Sequence, residues 1–309
     1  MFFSSWFQLD PVESHEKLAE AARKAGDLVG MCRHYSQALQ AARSRLGEHH
    51  PRTGELYCRL GILYHELRRL DECEPLLRRG LDILSPDGTN ERSMLIGRAH
   101  HGLGAVHMIR GEHDPSLFHL RRRLELCRAV NGEQDLRTAA CYVDLGVAYT
   151  DKGDNTAAID TLRKALKIRT ELLNDKHQLV GRVHYYLGHA YLNKQSFDSA
   201  VRYMKHGLAI CANAMGEDHY SLSVFYVTLA MAYAGKGNYR NAVAAAKRCV
   251  AIRKSRAGED HPSTKEARKL VAWLSRGAHD PFPDFNMHDL CPEVCASEVP
   301  HDGPYAPTA

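Results

Sequence analysis

A period of 42 residues runs through this 309-residue chain and constrains its fold more than any other feature. A small residue recurs at Ala19, Gly61, Gly104, Gly146, Gly188, Ala230 and Ala272, with gaps of 42, 43, 42, 42, 42 and 42. A second series keeps the same step at Gly47, Asn90, Gly132, Asn174, Gly216 and Gly258, residue types that tolerate positive φ. A third places Gly26, Gly111, Gly153 and Gly237 between the other two, with Arg68 and Gln195 at the remaining equivalents. Self-similarity at a fixed step of about 20 to 50 residues marks a stacked repeat array, in which each unit packs on its neighbours.

The stretch LGVAYTDKGDNTAAIDTLRKA (145–165) reads as helix, tight turn, helix. A glycine in mid-helix costs about 1 kcal/mol against alanine. Gly61, Gly104, Gly146 and Gly188 therefore make sense where two helices of a hairpin come so close that a Cβ would hold them apart. Tyr64, Tyr149, Tyr191 and Tyr233 follow three residues later on the same helix face. The Gly/Asn series suits the left-handed position that ends a helix, and Pro262 suits a first helical turn. The expected fold is an all-α solenoid of about six hairpins over residues 12–276, closed by a helix at 262–276 that carries Trp273. Residues 1–11 read as a lead-in. Residues 277–309 hold six of the 12 prolines and six acidic residues but no Lys or Arg, the composition of a disordered tail. All 41 basic but only 31 of the 37 acidic residues then lie in the repeat body, which carries +10.

Composition and motifs exclude several classes of function. Nine cysteines are scattered singly through helical segments, as in a reducing compartment, with no disulfide framework. MFFSSWF lacks the basic start of a signal peptide, and no apolar run reaches the roughly 18 residues a membrane span needs, so a cytoplasmic protein off the membrane is expected. There is no GxxxxGK[ST], GxGxxG after a strand, GxSxG or HExxH, so no enzyme and no cofactor is expected. The adjacent His100 and His101 point different ways on a helix, and His184 and His189 are five apart, a poor chelating pair. His288, Cys291, Cys295 and His301 have irregular spacing in a Pro-rich segment, so no metal is expected there either. The basic runs at Arg68–Arg69, Arg78–Arg79 and Arg121–Arg123 are interrupted by acidic residues, unlike a nucleic-acid stripe.

The small–large pattern resembles the tetratricopeptide repeat, and the 42-residue period is similar to that of kinesin light chains. ECEPLLRRGLDI (72–83), ALKIRTELLNDKH (165–177) and VAIRKSRAGEDHP (250–262) carry the resemblance. It implies a right-handed superhelix whose first helices line a concave groove, and a protein partner such as kinesin-associated cargo or motor. The positions where that family commonly has an Asn pair hold Cys58-Arg59, His101-Gly102, Val143-Asp144, Tyr185-Tyr186 and Val227-Thr228. No heptad pattern is sustained over residues 1–45.

Projecting the period onto the implied groove, offsets −6, −3, +1, +4 and +5 from the small residue face the ligand side. They give an apolar floor that includes Ala140, Val143, Val147, Val224, Val227 and Met231. The polar anchors are Arg98, His101, Asp151, Arg182, Tyr185, His189 and Asn193. Such a surface suits an extended peptide or a docked helix of a partner; the alternative is that these residues pack between repeats. The leading expectation is a monomeric, non-enzymatic adaptor. The alternative is an assembly subunit that oligomerises through exposed repeat edges. The segment DPFPDFNMHDL (280–290), acidic and aromatic beside a basic body, is a candidate occupant of the groove.

Overall fold

The computed structural model describes residues 10–84 and 90–277. The lead-in through residue 9, the insertion around 85–89 and the tail beyond 277, with its His/Cys spacing and its acidic–aromatic segment, lie outside the described residues. Among the described residues there are thirteen helices and no strand. The helices are α1 (Pro11–Lys24), α2 (Leu28–Leu46), α3 (Pro51–Glu66), α4 (Leu70–Ile83), α5 (Asn90–Ile109), α6 (His113–Asn131), α7 (Leu136–Lys152), α8 (Asn155–Leu173), α9 (Gln178–Asn193), α10 (Phe197–Met215), α11 (Leu222–Gly235), α12 (Tyr239–Ala257) and α13 (Pro262–Ser275). They form the consecutive hairpins of an all-α solenoid. The chain divides into two compact units, residues 1–130 and 131–309.

In the first unit α1 packs on α2 and α3 on α4, and α3 also meets α2 and α5. In the second, α7 packs on α8, α9 on α10, α11 on α12, and α13 closes on α12. The small series sits where these hairpins close. A Cβ on Gly61 would lie 2.6 Å from Leu77, on Gly104 2.9 Å from Leu120, on Gly146 2.6 Å from Leu162 and on Gly188 2.7 Å from Met204. Ala19 and Ala230 are fully buried, whereas Ala272, on the closing helix, is exposed.

The turns follow the sequence closely. Arg68 and Gln195 adopt φ of 60° at the places where other repeats have glycine. Asn174 ends α8 at φ 76°. Asn90 differs: it is the first residue of α5 and not a helix end. The preceding helix α4 stops at Ile83, just before the Ser-Pro-Asp-Gly run at 85–88, so the terminating role has moved upstream.

Polar side chains fasten successive helices. Thr53, Thr138 and Thr264 donate their hydroxyls to the carbonyls of Gly47, Gly132 and Gly258 at 2.8, 2.7 and 2.9 Å. His50, His177 and His261 cap first helices, each Nδ1 accepting from the N–H two residues on. Part of the histidine richness is thus structural. Arg253 is fully buried, donating from Nε to Ser223 Oγ at 3.1 Å and from Nη1 to the Ser263 carbonyl at 2.9 Å, which ties α12 to both α11 and α13. Arg169 reaches the Leu179 carbonyl at 3.1 Å in the same manner.

Candidate partner-binding site

The first helices α7, α9 and α11 of the second unit touch in succession. Ala148, Ala190 and Ala232, at one position of each helix, are buried, and such small side chains let the helices approach closely. One residue earlier stand Val147, His189 and Met231, all half-buried, and three residues after the alanines Asp151 and Asn193 are exposed. The period therefore places a row of partly accessible apolar and imidazole groups beside a polar edge.

The remaining projected positions behave differently. Ala140, Val143, Val224 and Val227 are no more than 4% exposed. At offsets −6 and −3 these helices face neighbouring helices, and the side chains serve inter-repeat packing. Tyr185, at offset −3, is buried too: its ring lies 4.9 Å from that of Phe225 and 5.4 Å from that of Tyr186. It stacks at 6.4 Å behind His189, so it backs the accessible row and is not itself an exposed anchor. Arg182, at offset −6, is half-buried. Burial pushes the His189 imidazole down to about 4, so at neutral pH this position presents an uncharged ring.

Arg98 and His101 belong to the first unit and form a group of their own. Arg98 is exposed and pairs with Glu66 of α3 at 3.3 Å. His101 is half-buried and meets His65 edge-on at 5.8 Å. An ion pair of this kind is worth little energetically, yet it neutralises the charge Arg98 would offer a ligand.

Other chemistry can be assessed from the same geometry. Among the described residues no group of three or more His, Cys, Asp and Glu side chains is placed to hold a metal ion. Desolvation pushes the Cys58 and Cys73 thiols up to about 12 and Cys249 to about 11, far from a thiolate nucleophile at neutral pH. The basic runs are interleaved with carboxylates, as in Arg69–Glu72 at 2.6 Å, Arg78–Glu74 at 2.8 Å and Arg122–Glu125 at 2.5 Å. No helix is long and apolar enough to cross a membrane among the described residues.

One cluster was not visible in the sequence. His100, His107 and His119 meet between α5 and α6, with ring centroids 5.2 Å apart for His100–His119 and 5.5 Å for His107–His119. The sequence separation of 19 between His100 and His119 hides the contact, which depends on how two helices are rotated about their axes. His100 and His101 do point apart, as a helix requires, and His184 faces His206 and Tyr203 while His189 faces Tyr185.

Comparison with known proteins bears on this architecture. The profile of the tetratricopeptide repeat matches residues 12–85, 95–171 and 179–255. No curated protein matches the sequence. Among solved structures, BtubC (BKLC) from P. vanneervenii superposes with a TM-score of 0.57 at 19% identity, covering 80% of this chain and 91% of that one. The nearly identical TPR-like repeats of a putative kinesin light chain from P. anserina give 0.55 at 20% identity, with 67% and 97% covered. The apo form of RapI gives 0.59 at 14% identity, with 86% and 98% covered. At these identities the likeness concerns the fold.

Proposed function

This chain belongs to the tetratricopeptide repeat family, and from that premise we propose that it is a non-enzymatic adaptor that binds a segment of a protein partner on the face formed by α7, α9 and α11. The observation that carries the reading is the row Val147, His189 and Met231, flanked by exposed Asp151 and Asn193, on three helices in mutual succession. Arg182 contributes from its half-buried position, and Tyr185 holds the His189 ring from behind.

The spacing of the row argues for the form of the partner. Packed helices lie about 8–10 Å apart. A polyproline II segment returns to the same face every three residues, about 9 Å along its axis. An α-helix does so every seven residues, about 10.5 Å on. A β-strand repeats its face every ~6.6 Å and falls out of register. The partner segment is thus a polyproline II peptide with apolar residues at i, i+3 and i+6, or a helix with them at i, i+7 and i+14.

The test is capture from lysate with the intact chain, set against an Asp151→Lys/Asn193→Lys variant whose changes lie at exposed positions. Partners lost in the variant at an unchanged melting temperature support the reading. Partners retained in full refute it. A second reading, assembly through a repeat edge, draws on Leu18, Leu28 and Val29, which are 45%, 38% and 63% exposed on the first hairpin. Mass that rises with concentration would favour it.

A further inference from the structure

A cleft of about 410 Å³ lies between α4, α5 and α6 in the first unit, on helices that take no part in the face assigned to the partner. That volume is within the range of small-molecule sites. Its origin can be read from helix lengths. The second helices α2, α6, α8, α10 and α12 each have 19 residues, whereas α4 has 14. Leu84 then turns extended, with ψ 120°, and closes the shorter α4 beside the cleft it helps to line.

The cleft has two kinds of wall residue. Leu84, Ile96, Leu103 and Leu126 are apolar. Arg78, His100, His119 and Arg122 are polar, with Asp82 the acidic residue in the lining.

The polar residues form a connected network. His100 Nδ1 and His119 Nδ1 are 2.9 Å apart, a contact that takes one proton, so one ring donates and the other accepts. The accepting ring then carries its hydrogen on Nε2 as a donor. Burial pushes both imidazoles down to about 4, and Arg122 beside His100, with His100, His107 and Arg78 beside His119, presses in the same direction against Glu125 and Glu74. The pair is therefore neutral at pH 7. His107 stacks on His119; its Nε2 lies 3.3 Å from Arg78 Nη2. A guanidinium only donates, so His107 Nδ1–H donates in turn to Glu112 at 2.5 Å. Arg78 uses Nε on Glu74, and Arg122 uses Nη1 on Glu125. A guanidinium has five N–H groups, and these bonds consume a minority of them.

We propose that this cleft binds a medium-chain carboxylate, its head held by Arg78, Arg122 and the His100–His119 pair and its chain lying along Leu84, Ile96, Leu103 and Leu126. Beyond the carboxylates they pair with, Arg78 and Arg122 each keep unused N–H groups, and these suit a single anionic head. The apolar residues distinguish the ligand from a bare anion.

Isothermal titration of the intact chain at pH 7 with octanoate, acetate and octan-1-ol tests the assignment. Saturable one-to-one binding of octanoate, at least tenfold tighter than either control, is expected. Arg78→Gln/Arg122→Gln should weaken octanoate at least about tenfold, the worth of one charge-assisted hydrogen bond. Leu126→Trp should block it with both arginines in place. In the unaltered protein, the histidine C2–H resonances of His100 and His119 should shift on adding octanoate while that of the helix cap His177 stays fixed, a readout that does not depend on any variant folding. No saturable heat, octan-1-ol binding as tightly as octanoate, or resonances that do not move would each overturn the proposal.

Discussion

Gly146→Ala gives the sharpest test of how the hairpins close. The added Cβ would stand 2.6 Å from Leu162 Cγ and 2.7 Å from Leu162 Cδ2. Carbon atoms in contact prefer about 3.5–4.0 Å, and Leu162 is fully buried, with no room to retreat. Overpacking of this kind costs about 1–3 kcal/mol, against a gain of about 1 kcal/mol from replacing a helical glycine. The net is a loss of up to about 2 kcal/mol, a fall of roughly 2–4 °C in melting temperature for each kcal/mol. Gly97→Ala in α5 is the matched control. Its Cβ would meet only Leu126 Cβ at 3.9 Å, an ordinary contact, so the propensity gain should raise the melting temperature. Thermal unfolding followed by circular dichroism reads both, and Leu162→Ala combined with Gly146→Ala should show a coupling of about 1–3 kcal/mol because the clash disappears. Gly146→Ala above the wild-type melting temperature would refute the close-approach argument.

Three further outcomes follow from the structure. His100, His119, His184 and His189 each have a folded pKa lowered to about 4, while unfolded histidine titrates near 6.5. The unfolded chain therefore binds more protons between pH 6.5 and 4, and stability should fall as pH drops through that window; melting temperatures from pH 6.5 to 5, above the carboxylate range, should decline, and less steeply in His119→Gln. Arg253→Met strips the Ser263 carbonyl and Ser223 hydroxyl of their buried donor, so hydrogen exchange in α13 should speed up at least about tenfold while α9 stays protected. Phe225→Ala removes the ring that supports Tyr185, should cost about 3–5 kcal/mol in stability and should broaden the His189 resonances, as nuclear magnetic resonance can show.

How far the sequence could be read depends on what each residue answers to. Gly146 and Arg68 answer to local backbone and to one partner helix, and the 42-residue step located both: the glycine against Leu162 and the arginine in a turn at φ 60°. Asp151 and Asn193 are exposed, a property that helical periodicity alone decides. Tyr185 was expected to face a ligand and instead packs on Phe225, since offset −3 is also the face that meets the next repeat, and which contact prevails is set by interhelical distance. Asn90 kept the period but lost its helix-ending role once α4 terminated at Ile83. The His100–His119 pair was out of reach because its contact joins two helices through rotations that no local pattern records.

The central claim is that a partner segment lies along α7, α9 and α11. The most direct measurement places a photo-crosslinking phenylalanine analogue, in separate proteins, at the sites of Asp151, Asn193 and Met231 on that face and at those of Lys167 and Lys205 on α8 and α10. After irradiation in lysate, the same partner should attach at all three face positions and at neither lysine site. Attachment at 167 or 205, with none at 151, 193 and 231, would contradict the account.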